Sequence, residues 1–345
     1  MQYQQIHDLV QAEFTVEEGY VEHDIPTFFV TLQPNSKQAF LRLYRKLDPM
    51  GLAPFFRKRD NRYVLQILPK PSAKVSGKKT VIALFLATVV TTLITGYVLS
   101  SGREDTIPNP IVGALMFTVS VLAIFGAHEM AHKLTANKHG VEATYPYFIP
   151  GPPAPFGIGT FGAVIQQKSL APNRDALFDL GMSGPVVGFI LTVIVTIIGI
   201  QLSTVIPEPP TGTQYIQVPL LFEFLYSAFP PNGQGSVLLL HPVAYAGYIG
   251  MIITMLNLLP SGMLDGGHVA QVILGEKARL ILSYIAIIAL VVIGAWLMAL
   301  LVFFLSRYPH PGALDGVSQL SSSRKLAAVA LIVIFVLTVA PLYTL

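Results

Sequence analysis

The stretch Ala127-His128-Glu129-Met130-Ala131-His132 decides how the rest of the 345-residue chain is read. Two histidines four apart lie on one face of an α-helix, where their ring nitrogens converge on a single metal ion, and Glu129 beside them has the position of a general base. The surroundings are apolar: Ile111 to Phe125 carries no charge, so ionisable groups stand inside a membrane-spanning pattern, where they are expensive and ordinarily functional. A solvated helix face therefore does not account for the two histidines.

Composition agrees with a membrane setting. The chain is 52% hydrophobic and 12% charged, with a mean hydropathy of +0.60, whereas soluble domains carry about 25% charged residues. A net charge of +3 is too small to argue for nucleic acid. Without cysteine there are no disulfides, thiolate metal sites or cysteine nucleophiles, so any metal is held by His, Asp or Glu. The first 20 residues hold no apolar core of signal-peptide length, so insertion through the first spanning helix is expected, with no cleaved leader.

The predicted architecture is an all-α polytopic membrane protein of about six transmembrane helices with a re-entrant or β-hairpin loop, preceded by a small soluble α+β domain. Residues 1–69 form that domain: a helix near Gln4–Glu13, a strand at Thr27–Leu32, a helix capped by Ser36 and running to Lys46, and a strand at Tyr63–Leu68, giving two or three strands. Its basic set of Arg42, Arg45, Lys46, Arg57, Lys58, Arg59 and Arg62 reads as a solvated face, with contact to anionic lipid as the sharper alternative. Residues 70–79, with four lysines, form a basic linker that places the domain on the cytoplasmic side.

Spans are expected at about 81–99, 111–134, 177–205, 242–259, 280–305 and 326–341, within a membrane domain covering 80–345. Six spans return both termini to the cytoplasm, although Arg307, Arg324 and Lys325 then fall in an outer loop, against the usual bias. Tyr145 to Gln167 is apolar but too rich in Pro and Gly for a spanning helix, hence the re-entrant loop. Gly181, Ser183, Gly184, Pro185 and Gly188 suit a helix packed closely on its neighbours.

A catalytic zinc takes three protein ligands and keeps a fourth position open. Asp265 is the third candidate, because it follows the fourth span in a Leu-Asp-Gly-Gly setting at the same inner depth as His128 and His132. His268 and His139 are weaker ligand candidates, and His241 and His310 are expected on the outer side, out of reach.

The helix-borne His128-Glu129-Met130-Ala131-His132, paired with Asn257-Leu-Leu-Pro-Ser-Gly-Met-Leu-Asp265-Gly, resembles the site-2 protease family of intramembrane zinc metalloproteases. Asn173 to Gly188 and Gly159 to Ala163 are similar to its archaeal and plant-chloroplast branch, and the likeness covers about 80–345. The resemblance implies one Zn²⁺ per chain on His128, His132 and Asp265, with Glu129 activating water against a peptide carbonyl. It gives Asn257 either an oxyanion role or a helix-packing one. It also implies a single-span membrane-protein substrate and a multi-pass location in the cell membrane, while Lys133 and Lys138 at the inner end of the second span place the site in the cytoplasmic half. Gly159, Thr160, Phe161, Gly162 and Ala163 are read as a strand edge to which substrate adds. The competing reading is a non-catalytic zinc protein or a metal transporter of the membrane. Nothing in the sequence fixes an oligomeric state.

Overall fold

The computed structural model describes residues 3–70, 77–103, 107–208, 215–231, 233, 235–292 and 294–339. Most of the basic linker, at 71–76, and the end of the sixth expected span, at 340–341, lie outside the described residues.

The N-terminal unit runs α1 (Tyr3–Gln11), β1 (Val16–Glu22), β2 (Ile25–Val30), α2 (Ser36–Leu47), β3 (Leu52–Arg59) and β4 (Arg62–Pro69). It has four antiparallel strands in the order β1-β2-β4-β3, more than the two or three expected. β1 reads VEEGYVE and β3 contains Pro54, so neither shows a clean apolar alternation. Both hairpins turn on two residues with positive φ, His23-Asp24 and Asp60-Asn61, the geometry that matches strand twist. Ser36 is the first residue of α2 rather than its cap, and its hydroxyl closes a turn back onto Gln33. α1 and α2 bury Ile6, Val10, Phe40, Leu43 and Leu47 against Phe28, Phe56, Leu65 and Ile67 of the sheet.

The same core contains Leu314, from the far end of the sequence, at 2% exposure. Residues 313–316 add themselves to the open edge of β3. Phe56 N–H donates to Leu314 O at 2.9 Å and Gly316 N–H to Phe56 O at 3.1 Å, while Leu314 and Asp315 donate to Ala171 O and Pro172 O. This strap fastens the N-terminal sheet to the membrane helices. Leu314→Ala is expected to lower stability by about 2–5 kcal/mol through the cavity it leaves. The denaturation midpoint of the detergent-solubilised chain reads this, and a native midpoint would remove Leu314 from the core.

The helical part follows as α3 (Lys78–Ser100), α4 (Pro110–Lys138), β5 (Tyr147–Pro150), β6 (Thr160–Val164), α5 (Arg174–Leu202), β7 (Thr204–Ile206), α6 (Leu220–Ala228), β8 (Val237–Leu239) and α7 (Pro242–Leu258). α8 (Asp265–Leu274), α9 (Glu276–Val292), α10 (Trp296–Ser306) and α11 (Ser322–Thr338) complete it. Among the described residues, α3, α4 and α5 are long and apolar enough to cross a membrane. α4 packs between α3 and α5, and α5 packs on α7 and α8. The Pro- and Gly-rich segment is a hairpin, β5 paired antiparallel with β6, laid against α3. Gly159 makes that approach possible: its φ is +85°, and a Cβ there would meet Thr91 O at 2.6 Å.

The expected fifth span is not one helix. Gly294, at φ +80°, ends α9 with paired bonds, Gly294 N–H to Val291 O and Ala295 N–H to Leu290 O, a helix-terminating turn that glycine adopts freely. α10 folds back so that Ala299 and Val302 pack on Leu290. The direction of α11 changes with it. α11 begins where Ser321 and Arg324 bind Asp175 at the start of α5, and it ends with Leu337 against the α6 cluster around Leu221 and Phe222. It therefore runs parallel to α5. Arg307, Arg324 and Lys325, expected in an outer loop, lie on the side of the N-terminal unit, which removes the charge anomaly of the six-span reading.

Candidate metal centre

α4 carries His128, Glu129 and His132 into the packed interior, at 5%, 8% and 6% exposure. His128 stands about 15 Å from the end of α4 at Lys138, so the cluster lies toward the face bearing the N-terminal unit. His132 Nδ1–H donates to Leu180 O at 2.8 Å, which leaves Nε2 as a bare lone pair. Asp265 opens α8 and brings its Oδ2 to 3.2 Å from His128 Nε2 and 3.3 Å from His132 Nε2, with the two nitrogens 3.1 Å apart.

That near-equilateral triangle tests the donor set. Ligands at about 2.0–2.1 Å from a tetrahedral zinc stand about 3.3 Å from one another. A neutral imidazole lone pair and a carboxylate oxygen aimed at one point repel unless a cation lies among them. The donor set fits one zinc ion, and it is built from His and Asp, as the absence of cysteine required of any metal site.

α5 supplies the room. A Cβ at Gly184 would lie 2.1 Å from His132 Nε2, and one at Gly188 would lie 3.0 Å from His128 Nδ1. Gly181 does the same for α8, where a Cβ would meet Asp265 O at 2.9 Å. These glycines read from sequence as a helix-packing stripe; what they accommodate is two imidazoles and the turn bearing the third ligand.

Glu129 stands beside the triangle. Its Oε2 accepts the Ile165 N–H at 2.9 Å, and its Oε1 is 3.9 Å from His128 Nε2. Asn257, near the end of α7, brings Nδ2 to 3.3 Å from His128 Nε2. Of the strand candidates, Thr160, Phe161, Gly162 and Ala163 lie in β6 and Gly159 immediately before it. Among the described residues no strand other than β5 pairs with β6, and Phe161 and Val164 are 64% and 49% exposed.

The remaining histidines sort clearly. His139 lies away from the triangle, bonded to Asp179 at 2.9 Å. His241 caps α7 at its opposite end, accepting the Val243 N–H. His310, expected on the outer side, instead meets His268 at 2.6 Å, because the α9–α10 hairpin returns the chain to the N-terminal side. The Leu180 carbonyl and Ile165 amide left no trace in the sequence, since any residue supplies them. His310 had one signal, the basic residues flanking its loop.

A bundle of apolar helices enclosing a His-Glu-x-x-His helix and an aspartate from a second helix defines a membrane protein with a buried metal centre. Residues 116–301, just over half of the chain, match peptidase family M50, and the chain belongs to that family, the one to which the site-2 proteases belong. It is 34% identical over 245 residues to the probable zinc metalloprotease EGY1, chloroplastic, of Arabidopsis thaliana, covering 67% of this chain and 43% of that protein. The rice (Oryza sativa subsp. japonica) protein of the same name is 32% identical over 68% of this chain and 42% of its own length. The Arabidopsis thaliana probable zinc metalloprotease EGY2, chloroplastic, is 30% identical over 60% and 36%. The chain spans less than half the length of these curated relatives. No solved structure matches it.

Proposed function

We propose that the chain hydrolyses peptide bonds in or near the transmembrane segment of single-span membrane proteins. The observation that carries this reading is the triangle of the buried His128 and His132 with the part-buried Asp265, and a carboxylate not needed for ligation, Glu129, at its edge. When bound, zinc supplies a Lewis acid that polarises a peptide carbonyl and makes water nucleophilic near neutral pH. Glu129 accepts the water proton at Oε1, since Oε2 is occupied by Ile165 N–H. The water oxygen bonds to the carbonyl carbon, the C–N bond breaks, and Glu129 returns the proton to the departing amine nitrogen. Asn257 offers its side-chain N–H to the carbonyl oxygen as negative charge gathers there.

A helical substrate hides its carbonyls, so it must unwind to be cut. β6 offers its unpaired edge for an added strand, and the Ile165 anchor fixes that edge beside Glu129. The N-terminal unit, residues 1–69, faces the cytoplasm in this reading, and the metal lies in the cytoplasmic half of the membrane. Lys133 and Lys138 at the end of α4, Lys70, Lys78 and Lys79 of the linker, and Arg307, Arg324 and Lys325 on the same face support that orientation.

The test is cleavage of a single-span model substrate in liposomes. Chelation is expected to abolish cleavage and added zinc to restore it. Ala163→Pro is expected to suppress cleavage while zinc content stays native, because proline removes an N–H from the strand edge. Cleavage that persists in the chelated protein would sink the metal reading. Unchanged cleavage by a folded Ala163→Pro protein would sink the strand.

A further inference from the structure

His268 and His310 lie outside the triangle, and their rings meet at 83° with Nδ1 of the first 2.6 Å from Nε2 of the second. Nitrogens sharing one tetrahedral ion stand about 3.3 Å apart, so this contact is a hydrogen bond and not half of a second metal site. Its direction follows from a neighbour: Gly312 N–H donates to His310 Nδ1 at 2.9 Å. Nδ1 is therefore the acceptor, and the ring proton sits on Nε2 and is donated to His268. Burial, with His268 and Arg279 nearby, pushes the His310 imidazole down to about 3, so the ring is neutral.

What this bond holds is the first turn of α8. Asp265 and His268, three residues apart, share a face of that turn. Between them stand Gly266 and Gly267, which give the backbone little stiffness of its own. Arg279, fully buried, braces the preceding loop through Gly262 O at 3.1 Å, and Ser283 Oγ accepts the Gly262 N–H at 3.1 Å. His310, near Arg279, supplies a second brace on the turn itself, through His268. It is carried just ahead of the strap whose residues 313–316 are bonded to β3.

We infer that His310 is a positioning residue for the metal centre: its hydrogen bond to His268 fixes the first turn of α8, and with it the Asp265 carboxylate, from a strap docked on the N-terminal sheet. The inference rests on Asp265 being a ligand, as the proposed function holds. It gives the N-terminal unit a physical route to the metal: shifting the strap moves His310, and through His268 the third ligand.

The test measures zinc affinity of the full chain in detergent by competition with a chromogenic chelator, together with the ligand-field spectrum of the cobalt-loaded protein. His310→Phe keeps a ring but removes the donor, and it is expected to weaken zinc binding about 10- to 100-fold and to alter the cobalt bands. His310→Gln places an amide N–H where Nε2–H stood and is expected to restore native affinity and spectrum. Should His310→Phe fail to fold, His268→Leu against His268→Asn asks the same question, since the asparagine Oδ1 takes the place of the Nδ1 acceptor. Native affinity in the variants lacking the bond, or equal loss in the conservative ones, overturns the inference. A native chain that takes up no stoichiometric zinc overturns the ligand assignment and this inference together; zinc bound equally by native and His310→Phe chains overturns this inference alone.

Discussion

Glu129→Gln is expected to abolish cleavage while leaving one zinc per chain. Glutamine has nearly the shape of glutamate, and its carbonyl oxygen can still accept the Ile165 N–H that Glu129 accepts at 2.9 Å, so the loop after β6 stays anchored. What it lacks is a basic oxygen for the water proton. General-base catalysis contributes roughly 10²–10⁴-fold, and loss on that scale is the expected result. The metal should be indifferent, because Glu129 lies outside the triangle, with Oε1 3.9 Å from His128 Nε2. Turnover and zinc content measured on one preparation decide the matter. Activity within a few-fold of native would show that another group takes the proton, and loss of zinc would show that Glu129 helps to hold the metal.

Gly184→Ala is expected to cost the metal itself. The new methyl would lie 2.1 Å from His132 Nε2 and 2.6 Å from both neighbouring ring carbons. The ring cannot slide aside without breaking the 2.8 Å bond from Nδ1 to Leu180 O, and α5 cannot retreat without opening its packing against α4 and α7. His132 must leave the triangle. The expected fall in zinc affinity exceeds the roughly 10–100-fold that losing an outer hydrogen-bond partner costs. Gly188→Ala is a graded control, since its Cβ would meet His128 Nδ1 at 3.0 Å, where a small shift relieves the contact. Chelator competition on both folded proteins should rank Gly184→Ala well below Gly188→Ala. Native zinc affinity in Gly184→Ala would mean that the imidazole does not lie against α5.

Much of the centre was legible because metal chemistry restricts both residue types and spacing. Two histidines four apart must share a helix face, and with no cysteine in the chain the third donor had to be another His, Asp or Glu. Asp265 stood out by following an apolar span in a glycine-rich turn. The long helices were legible for a similar reason: α3, α4 and α5 each contain an apolar run long enough to cross a membrane. The hairpin at 145–167 was legible from proline and glycine, which exclude a helix there.

Hydropathy reports how apolar a segment is but not the direction in which it runs. Residues 280–305 have the composition of one span, and a single glycine at positive φ, Gly294, makes them two antiparallel helices. That reversal sets α11 parallel to α5 and moves His310 from the expected outer side to the side of His268. The extra strands of the N-terminal unit escaped because β1 and β3 are too polar or too interrupted to alternate.

The sequence by itself determined the membrane character of this protein and the residue types offered at its candidate metal centre, because each depends on residue type and short spacing. Only the tertiary structure decided what surrounds that chemistry. Backbone groups such as Leu180 O and Ile165 N–H, the space left by Gly184, and the strap carrying Leu314 and His310 depend on which distant segments meet. Those meetings are set by packing across long separations, which no local pattern of residues encodes.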